Sequence, residues 1–160
     1  MAVLPILRWP DPRLTAVCAP VTDDVHALVA DMLDTMYDAP GRGLAAPQVG
    51  ALLRMFVMDV TWKDGTPAPQ VFVNPQIVWR SDNLIDGPEG CLSVPGLSLI
   101  VSRSDRLRLT WQDLDGVSQD QSFDGFAAIC IQHECDHLDG VLTLHHLSAP
   151  DRADAEMALQ

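Results

Sequence analysis

Cationic residues are scarce in this 160-residue sequence. It holds 10 Lys and Arg against 22 Asp and Glu, which gives a net charge of −12. A surface of that sign repels phosphate backbones, which argues against stable binding to nucleic acids. The sequence also lacks any apolar run approaching the roughly 18 residues that a membrane span needs. We therefore expect neither nucleic acid nor membrane among its stable partners.

Export signals are missing as well. The opening stretch is short, lacks a basic start and is interrupted by Pro5, unlike a signal peptide. A cytoplasmic location is the expectation that follows. In that setting the four cysteines, Cys18, Cys91, Cys130 and Cys135, are better explained as thiols or metal ligands than as disulfides.

What the sequence does contain is enough apolar material for a core. Hydrophobic residues make up 48 % of the chain and charged residues 20 %, which is typical of a globular protein and not of a disordered one. The length suits one domain of ordinary size. We predict a single domain over residues 1–160.

The hydrophobic pattern predicts an α+β fold with mainly antiparallel sheet, packed around a central helix that carries His133 and His137, with a further helix near the N-terminus. Helices are expected from Val25 to about Asp38, from just after Asp124-Gly125 to a stop at Gly140, and over 151–159. Strands are expected over 54–60, 71–73, 76–79, 106–111 and 117–123, with turns at Asn74-Pro75 and Asp115-Gly116.

The most informative motif is His133-Glu134-Cys135-Asp136-His137, in the second of these helices. Residues four apart on a helix lie on one face, about 5–6 Å apart, so His133 and His137 can share one metal ion. Glu134 projects away from that face, and it is placed to take a proton from a water on the metal. The motif predicts a metal-dependent hydrolase.

A catalytic site of this type needs a third protein ligand. Metalloproteases that extend the motif with another histidine would need it at position 143, which is a threonine here. Proteases that use a downstream glutamate have only Glu156 available. The zinc-endopeptidase interpretation therefore lacks its ligand. Cys91, in the glycine-punctuated segment Glu89–Pro95, is a better candidate, since a thiolate suits Fe(II), Zn(II), Co(II) or Ni(II).

A third segment, Gly41–Gln48, is expected to form a loop of small residues that ends in a side-chain amide. Small residues let the backbone approach a ligand closely, and the Gln48 amide is able to donate a hydrogen bond to a developing oxyanion.

Together these segments resemble the peptide deformylase family, in its bacterial form. That family has Gly-x-Gly-Leu-Ala-Ala-x-Gln, Glu-Gly-Cys-Leu-Ser and Gln-His-Glu-x-Asp-His motifs, in this order and at similar separations. Here the motifs occupy Gly41–Gln48, Glu89–Ser93 and Gln132–His137. The likeness runs from Val3 to Leu147, nearly the whole chain.

The resemblance implies hydrolysis of the formyl group from the N-terminal methionine of newly made polypeptides, with release of formate. By similarity, Cys91, His133 and His137 would hold one divalent ion, Fe(II) in the cell, with Zn(II), Ni(II) or Co(II) also accepted. Glu134 would deprotonate the attacking water and return the proton to the departing amine. The partners implied are nascent formyl-methionyl peptides, with at most transient contact at the ribosome.

The resemblance also implies how the peptide is held. The Gln48 amide and the backbone N–H of Leu92 would meet the oxyanion. The backbone of Gly43 and of the Cys91 loop would line the peptide like an added strand.

An apolar slot for the methionine side chain would be lined by Phe126, Ile129 and Cys130, one or two turns before His133 on the helix. Glu89 would border the substrate cleft and, with Arg103, orient the ligand loop. Cys130 is alternatively a small packing residue and Arg103 an exposed strand charge.

Two positions depart from the family pattern. Position 42, usually a branched aliphatic residue that covers the substrate side chain, is Arg42, and Gly87-Pro88 replaces a segment that is often apolar. An arginine beside the cleft would favour acidic or shorter peptides. Two further functions stay open from the sequence: a paralogue with altered N-acyl peptide specificity, and a non-catalytic metal or peptide-binding module.

Overall fold

The computed structural model describes residues 2–160 and has the expected α+β architecture. The helices are α1 (His26–Asp38), α2 (Gly125–Leu138) and α3 (Ala149–Ala158). The strands are β1 (Gly43–Ala45), β2 (Met55–Met58), β3 (Gln70–Arg80), β4 (Leu84–Cys91), β5 (Val94–Ser104), β6 (Arg106–Gln112) and β7 (Ser118–Asp124). Within residues 2–160, no helix is both long enough and apolar enough to span a bilayer.

The strands form two sheets. One has five strands in the order β1-β2-β3-β6-β7, and the other is the hairpin β4-β5. All pairings between these strands are antiparallel, as the sequence predicted. The α3 helix packs with β5 around Val94, Leu144 and Ala155, which ties the C-terminal residues to the hairpin.

Strand β2 explains why α2 lies at the centre of the molecule. All four of its residues are buried, and alternate side chains point to opposite faces of the sheet. Phe56 and Met58 pack in the cluster that contains α2, whereas Met55 and Val57 pack in the cluster that contains α1. The five-stranded sheet is thus covered by one helix on each face, and α2 is enclosed between this sheet and the hairpin.

The expected break at Asn74-Pro75 is wrong. Strand β3 continues through these residues and absorbs them as a bulge against β6. Asn74 takes a left-handed conformation with φ of 50°, and its side chain exchanges hydrogen bonds with the backbone of Val21 at 2.8 and 3.1 Å. A bulge of this kind tolerates a proline that cannot donate to the ladder, so the strand bends without ending.

The segment 41–48, expected as a loop, is partly a strand. Gly43 pairs with Met58 and Ala45 with Phe56 before the chain turns into a short 3₁₀ helix at Ala46–Val49. The pairing fixes the segment to the sheet edge, so its backbone is rigid where it passes α2.

The end of α2 is set by Gly140, as expected. This glycine has φ of 74°, a conformation that side-chain-bearing residues rarely adopt, and its N–H donates to the carbonyl of His137 at 3.1 Å. A Cβ at this position would lie 2.5 Å from the carbonyl oxygen of Thr15. The glycine therefore also allows the N-terminal segment to cross the end of the helix at close range.

Candidate functional site

Helix α2 brings two histidines and one glutamate to the inside of the molecule. The rings of His133 and His137 are one turn apart, with centroids separated by 5.0 Å. Both His137 and Glu134 are almost completely buried. Gln132 anchors the helix: its side-chain amide exchanges hydrogen bonds with the backbone N–H and carbonyl of Ser104, at 3.2 and 2.8 Å.

Cys91 completes a three-residue group with these histidines. It is the last residue of β4, and its Sγ lies 3.5 Å from Nε2 of His137. One ligand atom from each of Cys91, His133 and His137 lies within 4.8 Å of the others. Among residues 2–160 no other group of three His, Cys, Asp or Glu side chains is as tightly grouped around a common point.

The ring of His133 is oriented by a buried carboxylate. Glu89 Oε1 lies 3.0 Å from Nδ1 of His133. Because a carboxylate only accepts hydrogen bonds, Nδ1 carries the proton, which leaves Nε2 of His133 for the metal. Burial acts to raise the pKa of Glu89, but hydrogen bonds from His133 and Arg103 lower the pKa to about 2. Glu89 is thus a permanent anion beside the imidazole.

The second histidine lies in an apolar environment. Burial lowers the pKa of His137 well below its usual range, so the ring is neutral. Neutral imidazole is the form that binds a metal. Its Nδ1 atom is buried and has no hydrogen-bond partner in the part of the chain that the structure describes.

Arg103 lies at the centre of an ion-pair network beneath the site. Its guanidinium donates two hydrogen bonds of 2.9 Å to Glu89 and one of 2.6 Å to Asp136. Asp136 also lies 2.8 Å from Nε2 of His146. With only 4 % of its side chain exposed, Arg103 is not a strand charge in solvent, which was the alternative from sequence.

Removing this cation is expected to destabilise the protein strongly. Arg103→Met would leave the buried Glu89 carboxylate without its bidentate partner, which costs about 3–5 kcal/mol in the free energy of unfolding. Arg108 is a matched control, because it also makes two hydrogen bonds to one carboxylate, that of Asp120, but both side chains are about half exposed. Arg108→Met should cost less than about 1 kcal/mol. Urea unfolding of both variants measures the difference, and equal losses would contradict the structural role of Arg103.

Glu134 reaches the site from the buried side. Its Oε1 accepts no hydrogen bond from the described residues. Burial raises the pKa of Glu134 to about 7, although the neighbouring His133 opposes the shift. A carboxyl with such a pKa suits a group that must accept and return a proton. A Cβ added at Gly43 would collide with this carboxylate and with Cys130, so the glycine is required for the close approach of β1 to α2.

The Gln48 side chain is held in one orientation. Its Oε1 accepts a 2.9 Å hydrogen bond from the backbone N–H of Ala45, which directs Nε2 to the opposite side. Nε2 donates to Ser93 Oγ at 3.1 Å and lies 3.8 Å from Cys91 Sγ. The amide hydrogens of Gln48 therefore lie beside the sulfur of the three-residue group.

A cleft of about 1050 Å³ lies between the 41–43 segment, the β4-β5 hairpin and α2. It is lined by Gln48, Cys91, His133 and Glu134. Every substrate-contacting residue expected from sequence lies along it, namely Arg42, Gly43, Glu89, Leu92, Phe126, Ile129 and Cys130. Phe126 is half exposed, Ile129 is half-buried and Cys130 is buried. The alternative for Cys130, a packing residue, is compatible with this position, since it contacts the core and the cleft together.

Three residues that support the site were not predicted from the sequence: Ser93, Gln132 and Asp136. All three lie within the sequence motifs of the site, one or two residues from a proposed ligand, and that position was the available signal. Their partners, however, come from elements far away in the sequence. Chemically, two imidazoles, a thiol, a buried carboxylate and a fixed amide donor at one cleft suit metal-assisted hydrolysis of a carbonyl compound.

Comparison with known proteins agrees with this geometry. The sequence model of the polypeptide deformylase family matches residues 3–153. A peptide deformylase of Hyphomonas neptunium is 49 % identical over 92 % of this chain and 86 % of its own length, and a peptide deformylase 2 of Xanthomonas campestris is 48 % identical over 92 % and 89 %. The crystal structure of a Legionella pneumophila peptide deformylase is similar with a TM-score of 0.93 and 39 % identity, covering 99 % of this chain and 94 % of the other. That of a Synechococcus elongatus peptide deformylase in complex with actinonin has a TM-score of 0.91 and 35 % identity, covering 97 % and 86 %.

Proposed function

Because the chain belongs to the peptide deformylase family, we propose how its own residues carry out that family's reaction. The protein is a metal-dependent hydrolase of protein biosynthesis that removes the N-formyl group from the N-terminal methionine of newly synthesised polypeptides and releases formate. The two alternatives, an altered N-acyl specificity and a non-catalytic binding module, are not favoured by relatives named peptide deformylase over most of the chain.

One observation carries the assignment of roles: Cys91, His133 and His137 converge beside a buried glutamate in a peptide-sized cleft. A thiolate and two imidazoles fit a divalent transition metal, and the structure supplies the orienting carboxylate that such a site needs. Fe(II) is our proposal for the cell, with Zn(II), Ni(II) and Co(II) as ions that the same donors accept. When bound, the ion would polarise the formyl carbonyl and make a water molecule more acidic.

Glu134 is the proton carrier in this proposal. Its unpaired Oε1 is available to accept a proton from the attacking water. Once the tetrahedral intermediate breaks down, the same carboxyl returns the proton to the departing amine of methionine. Gly43 leaves room for this carboxylate, since a Cβ at that position would collide with it.

The negative charge that develops on the formyl oxygen is stabilised by fixed donors. Gln48 is suited to this because its amide is already anchored by Ala45 and Ser93 and has no freedom to lose. The backbone N–H of Leu92 is the second donor, from the turn that follows Cys91.

The peptide lies along the cleft as an additional strand, beside Gly43 on one side and the Cys91 turn on the other. Phe126, Ile129 and Cys130 line the slot for the methionine side chain, since they lie on α2 one to two turns before His133. Glu89 borders the cleft and, with Arg103, orients His133.

Domain organisation, cellular location and contact with the ribosome concern the protein as a whole. We propose that residues 1–160 act as one catalytic domain, since the family model spans 3–153. We also propose that it works in the cytoplasm, because newly made formyl peptides are its proposed substrates. Contact with the ribosome would be transient, because the net charge is −12 and the only cation of α3, Arg152, is paired with Glu156.

The reaction is tested with anaerobically prepared, metal-loaded protein. Formyl-Met-Ala-Ser should release formate. Acetyl-Met-Ala-Ser should be left intact, and so should a peptide without an N-acyl group, in which only internal peptide bonds could be cleaved. Comparable release of acetate would support the altered-specificity paralogue. Internal cleavage would indicate an endopeptidase, and full metal content without any turnover would indicate a binding module.

A further inference from the structure

Some of the Lys and Arg side chains of this protein form ion pairs with carboxylates, and others do not. Ten Lys and Arg face 22 carboxylates, and six of the ten form ion pairs within residues 2–160. The four that have no carboxylate of the described residues within 4 Å are Arg8, Arg42, Lys63 and Arg80. Three of these four, Arg8, Arg42 and Lys63, line the substrate cleft. In so acidic a protein, unpaired cations gathered at one cleft indicate an anionic occupant.

Two of the three carboxylates that line the cleft are not available to neutralise these cations. Glu89 is bound by Arg103 and His133, and Glu134 is buried against Gly43. That leaves Asp86 on the exposed strand β4, which forms no ion pair with any described residue. The accessible part of the cleft is therefore cationic, although the molecule as a whole is strongly anionic.

Two of the three cations are fixed to the segment along which the peptide is proposed to lie. Arg42 directly precedes Gly43, and its guanidinium carbon lies 5.2 Å from the ring centre of Phe126. Its Nε is buried and has no hydrogen-bond acceptor among the described residues. Lys63 lies 5.6 Å from the ring of Trp62, and the indole N–H of Trp62 donates to the carbonyl of Gly41 at 2.9 Å.

We propose that Arg42, assisted by Lys63, is a specificity-determining residue that selects substrates with Asp or Glu in the first positions after formyl-methionine; this rests on the proposed deformylase function. Arg42 directly precedes Gly43, beside which the peptide is proposed to run, and its guanidinium lies next to Phe126 at the slot for methionine. In this proposal it therefore meets the residues that follow methionine. The cation–π contact with this ring restrains the Arg42 side chain, which lowers the entropy lost when it binds a carboxylate.

The test compares three substrates that differ at one position: formyl-Met-Glu-Ser, formyl-Met-Gln-Ser and formyl-Met-Lys-Ser. For the wild-type protein at low salt we expect kcat/KM for the Glu peptide to exceed that for its isosteric Gln partner about fivefold, with the Lys peptide lowest. The ratio should shrink as salt is added, because the pair is partly exposed to solvent.

Variants then locate the origin of the preference. Arg42→Gln should bring the Glu-to-Gln ratio close to one, and Lys63→Gln should reduce it by a smaller factor. Arg108→Gln is the matched control: it changes the net charge equally but lies on β6, paired with Asp120, and should leave the ratio unchanged.

Equal kcat/KM for the Glu and Gln peptides in the wild-type protein would overturn the inference while leaving deformylation intact. So would a preference that survives Arg42→Gln, or one that Arg108→Gln lowers equally. Absence of formate from all three peptides would instead contradict the proposed function itself and with it this inference.

Discussion

Glu134→Gln is expected to lower kcat by about 10²–10⁴-fold while the metal content stays at the wild-type level. The glutamine has the same shape as the glutamate but accepts no proton, so water attack and amine departure both lose their acid–base group. Glu134 is not in the set of ligand atoms that converge, and its removal should therefore not release the ion. Rates of formate release and metal analysis of the same preparation check both parts.

A matched control is Glu156→Gln, the same chemical change in α3, where the carboxylate pairs with Arg152. This variant should retain wild-type turnover. Glu134→Gln with nearly normal turnover would show that another group transfers the proton. Loss of the metal together with turnover would show that Glu134 has a ligand role.

Cys91→Ala is expected to weaken metal binding by more than about 100-fold, and to remove turnover with it. The side chain supplies one of three donors, and the two histidines that remain are both on α2, so they hold the ion from one side only. Metal retained after dialysis against a weak chelator is the measurement.

Cys135→Ala is the control for this prediction, because Cys135 lies between the two histidines on the same helix and is buried in the core. It should keep one equivalent of metal. If Cys91→Ala held the ion as tightly as the wild-type protein does, the thiol would not be a ligand.

Helix α2 illustrates what the sequence was able to predict. Its start after Asp124-Gly125, its end before Gly140 and the common face of His133 and His137 were all predicted. The structure begins the helix one residue earlier, at Gly125, and ends it at Leu138. These features are local, because they depend on residues within a few turns of one another. The grouping of Cys91 with the histidines depended on the motif, since 42 residues separate it from His133.

The hairpin β4-β5 illustrates what was missed. No strand was expected over 84–91, because Asp86, Gly87, Pro88 and Gly90 are all residues with low strand propensity. The segment is extended because β5 pairs with it, and Pro88 is tolerated since the sheet has only two strands and each leaves one edge free. Tertiary pairing here overrides local preference.

The contacts that charged side chains make with distant segments were the second feature that the sequence did not fully predict. Arg103 was expected to act together with Glu89 or to be an exposed strand charge, but its further hydrogen bond to Asp136 on α2 was not expected. Arg42 was expected beside the cleft, but its stacking on Phe126 and the nearby Lys63 depend on contacts between distant segments. A single sequence carries no record of such contacts.

The most direct test of the site is an anaerobic titration of the metal-free protein with Co(II), followed by near-ultraviolet absorption. One Co(II) per chain should bind, with a thiolate-to-cobalt charge-transfer band that is present in Cys135→Ala and missing in Cys91→Ala. Tight binding of Co(II) without that band in the wild-type protein would contradict the grouping of Cys91, His133 and His137 around one ion.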